Sequence, residues 1–407
     1  MPNRFSVRTN LLSPISEQNY EIRPNHVITI ADGKIESISP VAKGNDYDFD
    51  LRNTIAIPGL IDMHVHLSQH RIRGQYRESL LPWLKEVVFP EEGKSRDHEY
   101  ANLLAEEFFH ALYKAGTTTA VIYTAPYLTA CEAAFEAARL QNYRAFIGMT
   151  LMDKNSPEDL LQNTKQAMDD CRALINEYHK PDEGLEFIFT PRFAPTCSIE
   201  LMQWIGEFAR QNKLWIQTHL SENKDEIAWV KELFGLGSYT EVYEKAGILS
   251  DRTILAHCIH LSEQELKLLK SNGCRIAHCP DSNFFLRSGE FPLDRVREQA
   301  IHFALGSDVG AGTTLNMLYH AKMYNYRQAS TPVSPADAFY RVTLGAAKAL
   351  HLDEQTGSLE EGKDADLVLF ELPEGKRQIN DDILSQLIFS GHEWYPLQVY
   401  ARGIRKV

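Results

Sequence analysis

The chain has 407 residues, 43% hydrophobic and 24% charged, the balance of a globular protein long enough for one barrel-sized domain and an accessory unit. Its formal net charge of -13 argues against a polyanionic partner, because phosphate backbones are met with clustered Lys and Arg, so nucleic acid is set aside as a substrate. Six cysteines are scattered with no C-x-x-C pair, and neither an apolar leader nor a run of about 18 apolar residues occurs. A disulfide scaffold, a thiolate zinc site, a membrane span and export are therefore disfavoured, and a reducing cytoplasm is the expected compartment.

From Phe5 to about Asn53 short alternating segments, His26–Ile30 and Lys34–Ile38, flank Asp32-Gly33, which is a hairpin signal and predicts a small antiparallel β unit. Pro58-Gly59-Leu60-Ile61-Asp62-Met63-His64-Val65-His66 then reads as a turn feeding a buried strand. Alternation along that strand puts His64 and His66 on one side and Val65 on the other, so both imidazoles can reach one ion. With 15 histidines in the chain, about half an accidental His-x-His is expected, and the spacing gains weight only from what agrees with it. Leu81 to Lys94 reads as part of a long loop after this strand that covers the mouth of the fold.

Eight strand-like runs follow one another: Ile55–His66, Thr117–Thr124, Arg144–Met152, Leu185–Phe193, Leu214–Leu220, Thr253–Cys258, Arg275–Cys279 and His302–Gly306. Helical periodicity over Tyr100–Ala115, Pro157–Tyr178, Ile199–Gln211 and Ser262–Asn272 connects them, which predicts a (β/α)8 barrel of parallel strands. Near the end, Ala365–Phe370 and Gln398–Arg402 are strand-like again, so one small sheet is expected from both ends of the chain.

Active residues of such barrels sit at the C-terminal ends of the strands. There the first run ends in His64 and His66, the fifth in Thr218-His219-Leu220-Ser221-Glu222, the sixth in His257 and the eighth in Asp308. The fourth run, Leu185–Phe193, offers no lysine to bridge two metals, so a single ion is expected. Three imidazoles and a carboxylate, His64, His66, His219 and Asp308, suit Zn2+, although iron would accept the same set. Such an ion acidifies a bound water toward a pKa of about 7 and so supplies a nucleophile. Glu222 is placed to shuttle protons, His257 to orient the water and Asp308 to accept its proton. His278, His70, His260 and His302 are read as structural, and Pro90-Glu91-Glu92 and Glu360-Glu361 as solvated faces.

Together Pro58–His66, Thr218–Glu222, Ala256-His257, Gly306-Ser307-Asp308 and the tail Asp364–Leu369 resemble the amidohydrolase superfamily, with its metal barrel and split β-sandwich. The resemblance implies a barrel over residues 58–357 and a β-sandwich from residues 1–57 and 358–407. Narrower motifs, His66-Leu67-Ser68-Gln69, Thr190-Pro191-Arg192-Phe193, His219–Glu226, Ser238–Tyr243, Ile276–Pro280 with Ser282-Asn283, and Asp308-Val309-Gly310, look like the guanine-deaminase family. That resemblance implies a zinc-dependent homodimer in which activated water attacks C2 of guanine, giving xanthine and ammonia. It carries the zinc ligands onto His64, His66, His219 and Asp308, and the purine contacts onto Gln69, Arg192 and Phe193 beside His219, Glu222 and Asp308. A forked guanidinium can hold the ring carbonyl, an amide can both donate and accept at ring nitrogens, and Phe193 can pack on the ring. Asp281 and Gly310-Ala311-Gly312 depart from the family pattern. A pterin with the same 2-amino-4-oxo edge is the nearest alternative substrate; hydrolysis of a cyclic amide or triazine, and a barrel that has lost catalysis and serves as a scaffold, are the others.

Overall fold

The computed structural model describes residues 4–42, 44, 46–372, 379–390 and 394–407. Four strands open the chain: β1 (Arg4–Pro14), β2 (Tyr20–Ala31), β3 (Lys34–Pro40) and β4 (Phe49–Pro58). The expected hairpin is β2–β3, turned at Asp32 and Gly33, whose φ values of 49° and 81° are the pair that a tight hairpin turn demands. The small sheet departs from the prediction in one respect. β1 pairs antiparallel with β2 but parallel with β4, which lies on β1's other edge and runs the same way.

Nine strands follow, β5 (Leu60–His66), β6 (Thr117–Tyr123), β7 (Arg144–Gly148), β8 (Thr150–Leu151), β9 (Leu185–Pro191), β10 (Trp215–Leu220), β11 (Thr253–His257), β12 (Arg275–His278) and β13 (His302–Leu305). Three close the chain: β14 (Leu367–Glu371), β15 (Pro396–Ala401) and β16 (Ile404–Arg405). The terminal sheet has the order β16-β15-β14-β4-β1-β2-β3, so both ends of the chain build it, as expected. Its apolar face gathers Phe5, Val7, Leu11, Ile28, Ile30, Ile35, Leu367, Leu369 and Tyr400 in one cluster, with the rings of Phe5 and Tyr400 stacked at 5.6 Å.

The barrel strands run β5-β6-β7-β9-β10-β11-β12-β13, with the short β8 pairing β9, and each of the eight strand-like runs of the sequence supplies one stave. β5, β6 and β7 are buried at every position, as strands covered on both faces must be. The two ends of this path meet beyond β13: Asp308 N donates to His64 O at 2.8 Å and His66 N to Val309 O at 2.9 Å, which nearly closes the barrel.

By contacts the chain divides into two compact units, Met1–Asp62 with His110–Thr119 and Leu315–Val407, and Met63–Phe109 with Ala120–Thr314. In the second, the stretch expected to be a loop is a continuous helical run, Leu80–Trp83, a π turn Leu84–Val88, and Phe89–Lys94. Leu80, Trp83, Leu84, Val87 and Val88 recur at helical spacing, and that stripe packs with Ile72, Leu286 and Ala311. Pro82 and Pro90 interrupt the pattern in the sequence, yet Pro82 lies in a first turn, where its missing N–H costs nothing, and Pro90 follows the π turn.

Candidate active site

Strand geometry delivers the expected cluster. His64 and His66 project from the end of β5, His219 from β10 and Asp308 from the turn after β13, and their ligand atoms all lie within 4.8 Å of one another. His64 Nε2 and His66 Nε2 each stand 3.2 Å from Asp308 Oδ1 and 3.2 Å from each other. Neighbouring donors around an ion with bonds of about 2.1 Å are separated by about 3.0–3.4 Å, so the spacing and the N3O chemistry of the set both fit a single borderline metal.

Five features prepare these side chains for that role. His219 Nδ1 donates to Arg192 O at 2.6 Å, which leaves Nε2 for the centre. Burial pushes His64 down to about 4 and His219 well below its ordinary value, so both imidazoles present lone pairs at neutral pH. Burial would raise the Asp308 carboxyl, but the imidazoles of His64 and His66 beside it outweigh that and hold it well below the usual range. The Tyr123 ring lies 4.8 Å from His64, 4.5 Å from His66 and 5.0 Å from His219 and packs against all three. Ser221, His257, Cys258 and Asp308 have φ of 51°, 68°, 52° and 49°, left-handed conformations for non-glycine residues, and each sits where a strand turns at the rim. Conformations of this kind cost about 1–3 kcal/mol each and persist where the surroundings enforce them.

Beside the cluster is a second pair. Glu222 Oε1 accepts from Ser288 Oγ at 2.8 Å, and Glu222 Oε2 lies 3.6 Å from His257 Nε2, which is 4.0 Å from Asp308 Oδ2. His257 Nδ1 donates to Asn283 Oδ1 at 2.9 Å, so Nε2 is the nitrogen turned toward the carboxylates. Burial pushes Glu222 up. His257 is depressed by burial, but Glu222 and Asp308 outweigh that and raise it. The pair can therefore hold a proton between them. Behind Glu222, Glu226 Oε2 accepts the N–H groups of Glu222 and Asn223 at 3.1 Å each and pins the turn into the helix Lys224–Phe234.

A cavity opens onto both groups. Eight of the nine residues singled out in the sequence line it: His66, Gln69, Arg192, Phe193, His219, Glu222, His257 and Asp308; the remaining one, His64, is in the metal cluster. Leu80, Trp83, Leu84 and Leu286 supply its apolar wall from the helical run over the barrel mouth and the helix end after β12. Gln69 and Arg192 converge on Glu92, at 3.0 Å from Oε1 and 2.6 Å from Oε2. Glu91 and Glu92 are thus not solvated, as their sequence suggested, but 5% and 1% exposed. Glu91 is satisfied by Tyr100 at 2.5 Å and Lys94 at 2.6 Å. Glu92, Ser288, Asn283 and Trp83 escaped the sequence reading; the sole hint was that Ser282-Asn283 belongs to a recognisable motif. Asp281, the departure noted there, accepts from Thr313 N at 2.8 Å and Oγ1 at 2.7 Å and holds the loop after Asp308.

A family model described as "Amidohydrolase family" matches residues 55–404. Guanine deaminase of Escherichia coli (strain K12) is 38% identical over 331 residues, covering 79% of this chain and 74% of that protein. Guanine deaminase of Dictyostelium discoideum is 35% identical over 375 residues, covering 87% and 83%. Among solved structures, guanine deaminase from C. acetobutylicum with bound guanine in its active site superposes with a TM-score of 0.92 at 32% identity, over 99% of this chain and 100% of that one.

Proposed function

This chain belongs to the amidohydrolase family, and we propose that within it the chain deaminates guanine hydrolytically to xanthine and ammonia, with one Zn2+ held by His64, His66, His219 and Asp308. The observation that carries this reading is the convergence of that donor set, the Glu222–His257 pair and the Arg192–Gln69 edge on one cavity. The relatives and the guanine-bound neighbour support it. Iron would satisfy the same donors. A homodimer and a cytoplasmic location complete the proposal; six buried cysteines with no disulfide among the described residues favour a reducing compartment, and sedimentation tests the dimer.

When bound, the ion makes water nucleophilic at neutral pH. Arg192 donates to the ring carbonyl, Gln69 reads the adjacent ring nitrogens, and Phe193 covers the ring. Asp308 takes the proton that water gives up as the C2–O bond forms. Glu222, raised by burial and therefore able to carry a proton, delivers it to N3. The C2–N bond then breaks as the departing amine takes the proton held by Asp308, passed through Glu222; the C2 hydroxyl proton returns to Glu222, and the 2-oxo ring remains. His257, fixed by Asn283, orients the attacking water toward C2. The apolar wall of Leu80, Trp83 and Leu84 keeps bulk water from the reacting carbon.

Ammonia release from metal-loaded protein tests the reading, with guanine, a pterin, adenine and cytosine offered in parallel. Release from guanine alone is expected. Release from the pterin alone would move the substrate and keep the chemistry, and release from none would end the deaminase reading. For the relay, Glu222→Gln with the metal retained should lower kcat by about 10³-fold, and an unchanged rate would remove Glu222 from its role.

A further inference from the structure

One buried carboxylate beside the cavity belongs neither to the donor set nor to the proton relay. Glu92 is 1% exposed and lies on the helix Phe89–Lys94. Its Oε1 accepts from Gln69 Nε2 at 3.0 Å and Ser68 Oγ at 3.3 Å, and its Oε2 accepts from Arg192 Nη1 at 2.6 Å. Gln69 Oε1 in turn accepts from Gly310 N at 3.3 Å, so the amide is held at both ends and its orientation is determined. Phe89, on the same helix, supports the guanidinium at 5.3 Å.

Two consequences follow from this wiring. The first is geometric: the two groups that would read the ring are fixed to one carboxylate, and a shift of Glu92 moves both. The second is electrostatic. A buried guanidinium in a cavity wall would by itself attract an anion strongly, since charges interact several-fold more strongly there than in water. Paired with Glu92 it offers hydrogen bonds without net charge, and an anionic ring meets the Glu92 carboxylate as well as the cation. Xanthine carries a more acidic ring N–H than guanine and ionises first as pH rises, so this edge would discriminate against the ionised product.

Building on the deaminase reading, we propose that Glu92 is a positioning residue of the ring-binding edge: it orients Gln69 and Arg192 and makes that edge select a neutral ring over an anionic one.

The test uses metal-loaded Glu92→Gln and Glu92→Asp beside the unaltered chain, each checked for folding by circular dichroism and for metal content. Guanine turnover, inhibition by xanthine and calorimetric binding of xanthine are measured where xanthine is anionic and guanine neutral. For Glu92→Gln the KM for guanine should rise about tenfold with kcat within about threefold, while xanthine binds about tenfold more tightly relative to that KM. Glu92→Asp keeps the charge, so although its shorter reach raises both constants, their ratio should stay within about threefold of the unaltered chain. The same ratio in all three proteins, or a kcat falling in step with the rise in KM for Glu92→Gln, overturns the proposal. Absence of ammonia release from guanine by the unaltered chain would sink the deaminase reading alone. Calorimetry would still decide the role of Glu92, because xanthine bound no more tightly by the Gln than by the Asp variant contradicts it.

Discussion

Two side chains beside the site hold Glu222 and His257 in register. Ser288 donates to one Glu222 oxygen, and the other is left toward His257, so the carboxylate has a defined working face. Ser288→Ala should lower kcat about fivefold with little change in KM, because one hydrogen bond to an ionisable group is lost while the ring contacts stay; steady-state kinetics at matched metal content checks this. Asn283 sets the His257 tautomer, and Asn283→Leu should cost about 10–100-fold in kcat, read in the same assay. Residues of this kind were the hardest to find in the sequence. A histidine after a strand announces its chemistry by type and position, and His64, His66, His219 and Asp308 were legible for that reason. Glu92 was not: it stands in Pro90-Glu91-Glu92-Gly93, a composition that reads as solvent, and its partner Arg192 is 100 residues away.

At the scale of elements, the site depends on how closely β5 and the end of β13 approach. A Cβ on Gly306 would stand 2.7 Å from the Cβ of His64, closer than real side chains come, so glycine is required by space rather than by φ. Gly306→Ala should displace His64 and weaken metal binding about tenfold, measured by competition with a chromogenic chelator. A second consequence concerns β9. Burial pushes Glu186 on that strand up to about 7 from an ordinary value of 4.5. Between those values the folded chain keeps a proton that the unfolded chain has released, so stability falls as pH rises through that window. Glu186→Gln should remove this slope and stabilise the protein at about pH 8 by about 1 kcal/mol relative to about pH 5, after allowance for partial exposure, as urea unfolding at the two values would show. The strands themselves were plain in the sequence because eight apolar runs of the right length cannot easily be anything else. The helical run Leu80–Lys94 was hidden because two prolines interrupt its period, although neither breaks the element.

For the molecule as a whole, the donor set links β5, β10 and the turn after β13, so an ion held there would tie the closing segment to the first stave and the middle of the barrel. Stripping the metal with a chelator should lower Tm by about 5 °C, restored on adding Zn2+, because a ligand bound only to the folded state stabilises it by mass action. Architecture at this scale was read from counting staves, whereas the parallel pairing of β1 with β4 could not be, since apolar alternation is the same for a strand run in either direction. The bonds from Asp308 N to His64 O and from His66 N to Val309 O have one more consequence. During synthesis β5 emerges early and must wait, unpaired on that edge, until nearly the whole barrel has left the ribosome. The full donor set therefore cannot assemble until Asp308 has emerged, with 99 of the 407 residues still to follow, so an ion held there would be acquired late in synthesis or after it.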